Sequence, residues 1–310
     1  MARSRKSPGK AVPRALPWQR RQPTPRLDAM MACTAAFRVV ARRCFADLTA
    51  NQEATCKGDR TALHQMRIAL TRLRTAILFF SPMVADSQRT QIRNELKWLN
   101  AHLGAVRDLD VAVERLGAVD KRLPRAAAQH RSWNKQQSNS HRLLARALQS
   151  VRYRRLVEDT SEWVENGPWC IKRGKQATRE RTSPIAAYGA GKLNLWRQKL
   201  LKRSRKLLEM DAEKRHRLRL LNKKLSYSVE AFEDLFSDKR FAGQKTSLKY
   251  LRKAQRALGQ LNDDARGHSL ATTLQRDGAD ARSQFLSPKR EKRLLRSAAA
   301  AYRKLADLTK

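Results

Sequence analysis

Acidic residues are scarce in this 310-residue chain: 28 Asp and Glu stand against 67 Lys and Arg, for a formal net charge of +39. That imbalance lies far beyond what solubility calls for and points to a polyanionic partner, whether nucleic acid, polyphosphate or an anionic membrane surface. Cysteine is sparse too. Cys33, Cys44, Cys56 and Cys170 form no C-x-x-C pair and no ligand-like spacing with histidine, so they read as reduced thiols of a cytoplasmic protein, with neither disulfides nor a metal site expected. No apolar run approaches the roughly 20 residues of a membrane span, and the start lacks the apolar core of a signal peptide. Aromatics make up 6% of the chain, leaving few for stacking on bases. No stretch alternates β-branched and polar residues, so the fold class is all-α. Catalytic signatures are missing as well. Gly189-Ala190-Gly191-Lys192 has Ala186 where a Walker A loop needs its first glycine and Leu193 where Ser or Thr must meet magnesium. No carboxylate pair projects from the basic stretches to hold magnesium for phosphoryl transfer, so binding without chemistry, and no cofactor, is expected.

What is present is organised around Asp59–Phe80, a helix with two dissimilar faces. At 100° per residue, Met66, Leu70, Leu73, Ile77 and Phe80 share one arc suited to a core. Arg60, His64, Arg67, Thr71 and Arg74 share the opposite arc. No Asp or Glu occurs between Arg60 and Phe80, so the polar face repels itself unless an anion lies against it.

The segment returns 152 residues later, where His216, Leu218, Arg219, Leu225 and Phe232 take the places of His64, Met66, Arg67, Leu73 and Phe80. Leu96-Lys97-Trp98-Leu99 returns as Leu248-Lys249-Tyr250-Leu251. Leu103-Gly104-Ala105-Val106-Arg107-Asp108 returns, three residues further offset, as Leu258-Gly259-Gln260-Leu261-Asn262-Asp263. The pattern is that of a tandem duplication of a helical unit.

The H-x-x-R-x-x-x-x-[RK] helix, the L-G-x-x-R-D-L-D turn and the Ser150–Arg154 block ahead of Trp163 and Trp169 resemble the CHAD family, the conserved histidine α-helical domain, over about Leu27 to Lys310. The resemblance implies two four-helix bundles related by a pseudo-twofold, a basic central groove, and binding of inorganic polyphosphate, often at polyphosphate granules. The alternative partner is nucleic acid, of chromatin or RNA, which the charge alone supports equally. Against it, no helix-turn-helix or zinc-finger spacing occurs.

Residues 1–26 hold five prolines and no acid, which predicts a disordered basic arm; an acid-free, Arg-rich start is also compatible with a transit peptide. The first repeat spans 27–165: a helix from Leu27 to about Cys56, the basic helix, a third helix from Asp86 interrupted at Gly104, and a fourth from about Pro124 to Thr160, packing Trp133, Leu143 and Leu148. Residues 166–184 read as a linker rich in Gly and Pro. The second repeat, 185–310, has helices from Ile185 to Glu209, Ala212 to Phe236, Lys245 to Leu274 and Pro288 to Leu308.

A single helical histidine is more often a structural hydrogen-bond partner, but both copies keep His64 and His216 beside H-x-x-R. With Arg67, Thr71, Arg72, Arg74, Arg219, Lys223 and Lys224 they are the candidate polyphosphate ligands on the basic helices. Ser226 departs from the family pattern by standing where arginine is usual, and Lys223 lies one turn away on the same face. Lys97 and Lys249 match across the third helices, Lys249 within a stripe with Arg252, Lys253 and Arg256, and Arg152 joins the set from the Ser150–Arg154 block. Arg107-Asp108 reads as a local ion pair shaping the interrupted helix. His102, His130, His141 and His268 read as structural.

Overall fold

An aspartate opens each cationic helix. Asp59 accepts from the amides of Thr61 and Ala62 at 2.7 and 2.9 Å, and Asp211 from that of Lys214 at 2.7 Å. Each side chain thereby satisfies amides that have no partner within the helix, and its charge complements the positive end of the helix dipole. Gly58, just ahead of Asp59, turns at φ +89°, a conformation that costs other residues roughly 1–2 kcal/mol.

The computed structural model describes residues 25–120, 126–171, 174–274 and 287–308. Its helices are α1 (Cys33–Ala50), α2 (Gln52–Cys56), α3 (Arg60–Phe79), α4 (Arg89–Asp120), α5 (Ala126–Gln149), α6 (Val151–Asn166), α7 (Lys175–Thr182), α8 (Ile185–Ser204), α9 (Ala212–Ala231), α10 (Gln244–Leu274) and α11 (Pro288–Asp307). Among the described residues there is no strand, only an isolated bridge between Ala32 and Pro184. No helix among them is long and apolar enough to cross a membrane. One set of helices packs α1, α3, α4 and the α5–α6 pair together, and a second packs α8, α9, α10 and α11. The sets meet where α3 lies beside α9 and α4 beside α10.

The apolar arc of α3 is buried throughout: Met66, Leu70 and Leu73 expose nothing, and Ile77 and Phe80 almost nothing. Leu218, Leu225 and Phe232 are buried likewise in the second set. Phe79 joins the two sets, its ring centroid 5.2 Å from Phe232 and 5.4 Å from Trp196. Such offset and edge contacts add roughly 0.5–1.5 kcal/mol each beyond the area they bury.

Several expected boundaries shift. α4 runs straight through Gly104, because a helical glycine costs only about 1 kcal/mol and buried Leu103 and Val106 flank it. The fourth helix is two helices. Ser150 adopts an extended conformation, and its hydroxyl accepts from the Tyr153 amide at 3.2 Å, capping α6. The first is likewise divided at Asn51 into α1 and α2. The linker contains α7 and is tied down: buried Arg181 donates to the Trp169 carbonyl at 2.8 Å, and Thr34 donates to the Arg181 carbonyl at 2.7 Å. Leu143, expected in the core, is 59% exposed. Of the basic arm expected over 1–26, only residues 25 and 26 fall within the described residues.

Candidate functional site

The polar arcs of α3 and α9 face a common cleft of about 360 Å³. From α3 come His64, Arg67, Thr71 and Arg74; from α9 come His216, Arg219, Lys223 and Tyr227. α4 adds Asn100, Arg107 and Asp108, and α10 adds Asn262 and Asp263. A second cleft of about 560 Å³ continues from the first, sharing Thr71, Arg74, Leu220 and Lys223, and runs along α4 past Arg89, Arg93 and Lys97, with Lys224 opposite.

Burial first, and then this crowding of like charge, shifts titrations downward. Burial, then the charges of Arg219 and Arg67, push the Lys223 ammonium down to about 8, against a smaller opposing pull from Asp263. Burial, then Arg107, Arg67 and Lys223, lower the His64 imidazole. Lys224 is lowered by burial and by Arg74, Lys199 and Arg93, and Arg74 by burial and Arg93. Each shift says that the cationic form is disfavoured where it stands, by lost hydration first and by neighbouring cations second, and an anion entering the cleft offsets both.

Polar contacts hold the cleft walls. Asp108 Oδ1 accepts from Arg67 Nη1 at 3.4 Å, bridging α4 and α3. His216 Nδ1 lies 2.9 Å from Asn262 Oδ1, bridging α9 and α10. Thr71 donates its hydroxyl proton to the Arg67 carbonyl at 2.7 Å, so that proton is engaged within α3.

Of the residues expected from sequence, the clefts bring together His64, Arg67, Thr71, Arg74, Lys97, His216, Arg219, Lys223 and Lys224. Arg72 and Arg252 are placed elsewhere, at a separate hollow of about 350 Å³ floored by Phe79, Phe80 and Phe232. There Glu230 accepts from Arg72 at 3.0 Å and from Arg252 at 3.0 and 3.1 Å, and the Arg72 guanidinium lies over the Tyr227 ring. Arg152 pairs with both carboxylate oxygens of Glu95 at 2.8 and 3.0 Å and stacks 4.4 Å from the Trp98 ring centroid. Lys249, Lys253 and Arg256 are exposed on α10 and line neither cleft. Ser226 is buried.

The L-G-x-x-R-D element lies in the site. Arg107 and Asp108 face the first cleft, and Asn262 holds His216, so the reading of Arg107-Asp108 as a local helix-shaping pair is corrected. Adjacent helical residues point about 100° apart, which already argues against such a pair. Arg89 and Arg93 were also absent from the expected ligands, although they share a helical face with Lys97. His102 lies 3.0 Å from the Trp98 carbonyl, and His141 lies 2.8 Å from buried Asp110, both structural contacts. The side chains of His130 and His268 lie outside the described residues. No group of His, Cys, Asp and Glu among the described residues is arranged to hold a metal ion.

A family model described as the CHAD domain matches residues 39–272. A crystal structure of the CHAD domain from the plant Ricinus communis is similar at 25% identity and a TM-score of 0.69, covering 91% of this chain and 94% of that one. PptA from Streptomyces chartreusis shares the fold at 14% identity and a TM-score of 0.57, covering 89% and 96% of the two chains. A search of curated proteins finds no match to this chain.

Proposed function

Because the chain belongs to the CHAD domain family, a family associated with inorganic polyphosphate, we propose that its two adjoining clefts form one track that binds a linear polyphosphate and retains it without turning it over. The observation that carries the reading is the continuity of the clefts through Arg74 and Lys223, with cations on nearly every wall and Asp108 and Asp263 as the acids lining them. Guanidinium forks hold two oxygens of one phosphate, lysines act as point charges, and imidazole donates one hydrogen bond. Along α4, Arg89, Arg93 and Lys97 recur every fourth residue, a step of about 6 Å that suits successive or alternate phosphates.

On this reading the two helical repeats, 27–165 and 185–310, contribute one basic helix each, and residues 166–184 connect them. The same binding would place the protein on polyphosphate granules. Each phosphate contact releases condensed counterions, so affinity falls steeply with salt.

The test is fluorescence anisotropy with labelled polyphosphate at near-physiological salt. The cleft variant His64→Ala/Arg67→Ala/Arg219→Ala is compared with the surface variant Lys249→Ala/Lys253→Ala/Arg256→Ala, with RNA and DNA of matched charge as competitors. Loss of binding in the cleft variant alone, undisplaced by nucleic acid, supports the track. Equal loss in both variants, or one-for-one displacement by RNA, refutes it in favour of a diffuse positive field.

A further inference from the structure

Lys223 is the lysine common to both clefts. Its ammonium lies 5.5 Å from the Tyr227 ring centroid, it is half-buried, and Arg219, Arg67 and Arg74 act on it electrostatically. A phosphate seated against those guanidiniums would lie beside the amine. We infer that Lys223 is a modification site, at which an acyl phosphate, held by its phosphate end among Arg67, Arg74 and Arg219, transfers its acyl group to the lysine nitrogen.

The step balances without a further reagent. The neutral amine attacks the carbonyl carbon, an N–C bond forms, and the C–O bond to phosphorus-bearing oxygen breaks with its electron pair leaving on phosphate. The second amine proton passes to the departing phosphate or to water, giving an amide and inorganic phosphate. A desolvated lysine beside other cations is the usual form of an activated amine. With its ammonium lowered to about 8, roughly a fifth of Lys223 is free amine at pH 7.4, against about one part in a thousand for an ordinary lysine. A less basic amine is also a weaker nucleophile, and a Brønsted slope of about 0.4–0.5, taken from thiols, leaves a net advantage of about tenfold before the phosphate is held at all. The amide is neutral, so acylation removes a cation from the middle of the cluster. The acylation stands apart from the polyphosphate reading; only its consequence for binding rests on that reading.

The experiment treats the full chain with acetyl phosphate and measures site occupancy by peptide mass spectrometry over time. Lys223 is expected to acetylate at least tenfold faster than exposed Lys249 and Lys253. Arg74→Ala/Arg219→Ala should remove most of that margin while leaving Lys249 unchanged, and an N-hydroxysuccinimide ester, which has no phosphate to hold, should show a smaller margin than acetyl phosphate. A Lys223 rate equal to that of Lys249, or a margin indifferent to the two arginines, overturns the inference. Protection of Lys223 by excess polyphosphate supports both readings. A preserved acetyl phosphate preference without such protection supports the acylation site and counts against the polyphosphate track.

Discussion

Replacing Lys223 with methionine should make the protein more stable and a poorer polyanion binder at once. Methionine keeps the length and apolar stem of lysine and removes the charge. The folded ammonium titrates near 8 and the unfolded one near 10.4, a difference of about 2.4 units, or about 3 kcal/mol at 1.36 kcal/mol per unit. The sign follows from proton counts. Below pH 8 both states hold the proton and the full penalty is present. Between about 8 and 10.4 the unfolded chain binds more protons, so the wild type gains stability as pH rises, and above that window the penalty is gone. The groups acting on Lys223 complicate this little: Arg67, Arg74 and Arg219 stay charged, His64 is neutral there, and burial and Glu230 raise the Tyr227 phenol. Allowing for relaxation and the lost attraction of Asp263, Lys223→Met should gain about 2 kcal/mol at pH 7. That is a rise of about 3 °C in Tm for a chain of this size. The gain should vanish near pH 10.5. Polyphosphate affinity should fall about tenfold, the loss of one charge-assisted contact. Thermal melts followed by circular dichroism at both pH values, with anisotropy titrations at pH 7, measure all three. A variant no more stable than wild type at pH 7, or a gap unchanged at pH 10.5, would refute the argument that burial and neighbouring cations penalise the Lys223 ammonium in the cleft.

Glu230→Gln should lower stability by about 2 kcal/mol, since the partly buried Arg72 bond is a charged one and the exposed Arg252 pair adds little. Polyphosphate affinity should stay within about twofold or rise; a tenfold loss by anisotropy would place Arg72 and Arg252 in the binding track after all. His64 is lowered in the free protein, and a bound phosphate would raise it, so binding takes up a proton and affinity should climb as pH falls from 8 toward 5.5. His64→Gln should flatten that climb in the same titration. Arg93→Ala and Lys97→Ala should each reduce the slope of log affinity against log salt by about one, whereas Lys249→Ala should leave it unchanged, as titrations across salt concentrations will report.

The apolar arc of α3 and the return of its pattern in α9 were legible because burial imposes a 3.6-residue period on any helix that packs on one side. His64, Arg67, Thr71 and Arg74 followed from the same wheel. Arg72 did not belong with them: it lies about 100° around the helix from Thr71, and its charge was counted where its direction should have been. α7 left no apolar period to read, since Lys175–Thr182 is polar almost throughout and is held by contacts to α1 that join residues well over a hundred positions apart. Arg107 and Asp108 were obscured by their adjacency, and only the approach of α4 to α3 reveals Arg67 as a partner of Asp108.

Positions that correspond in sequence are not chemically equivalent, and three of the differences act in one direction. Arg74 corresponds to Ser226, which is buried and without charge; Arg107 corresponds to Asn262, which holds His216; and Leu78 corresponds to Glu230. Away from the first cleft along α4, the second is lined by Arg74, Lys97, Arg93 and Arg89. Toward the other side, beyond Tyr227, stands the Glu230 carboxylate with Arg72 and Arg252 already engaged, above an aromatic floor. A polyanion extended in that direction would have to separate two ion pairs and approach a carboxylate. On the polyphosphate reading the track is therefore one-sided, anchored at the two histidines and open along α4, and the differences at Arg74, Arg107 and Leu78 between the two copies contribute to its polarity.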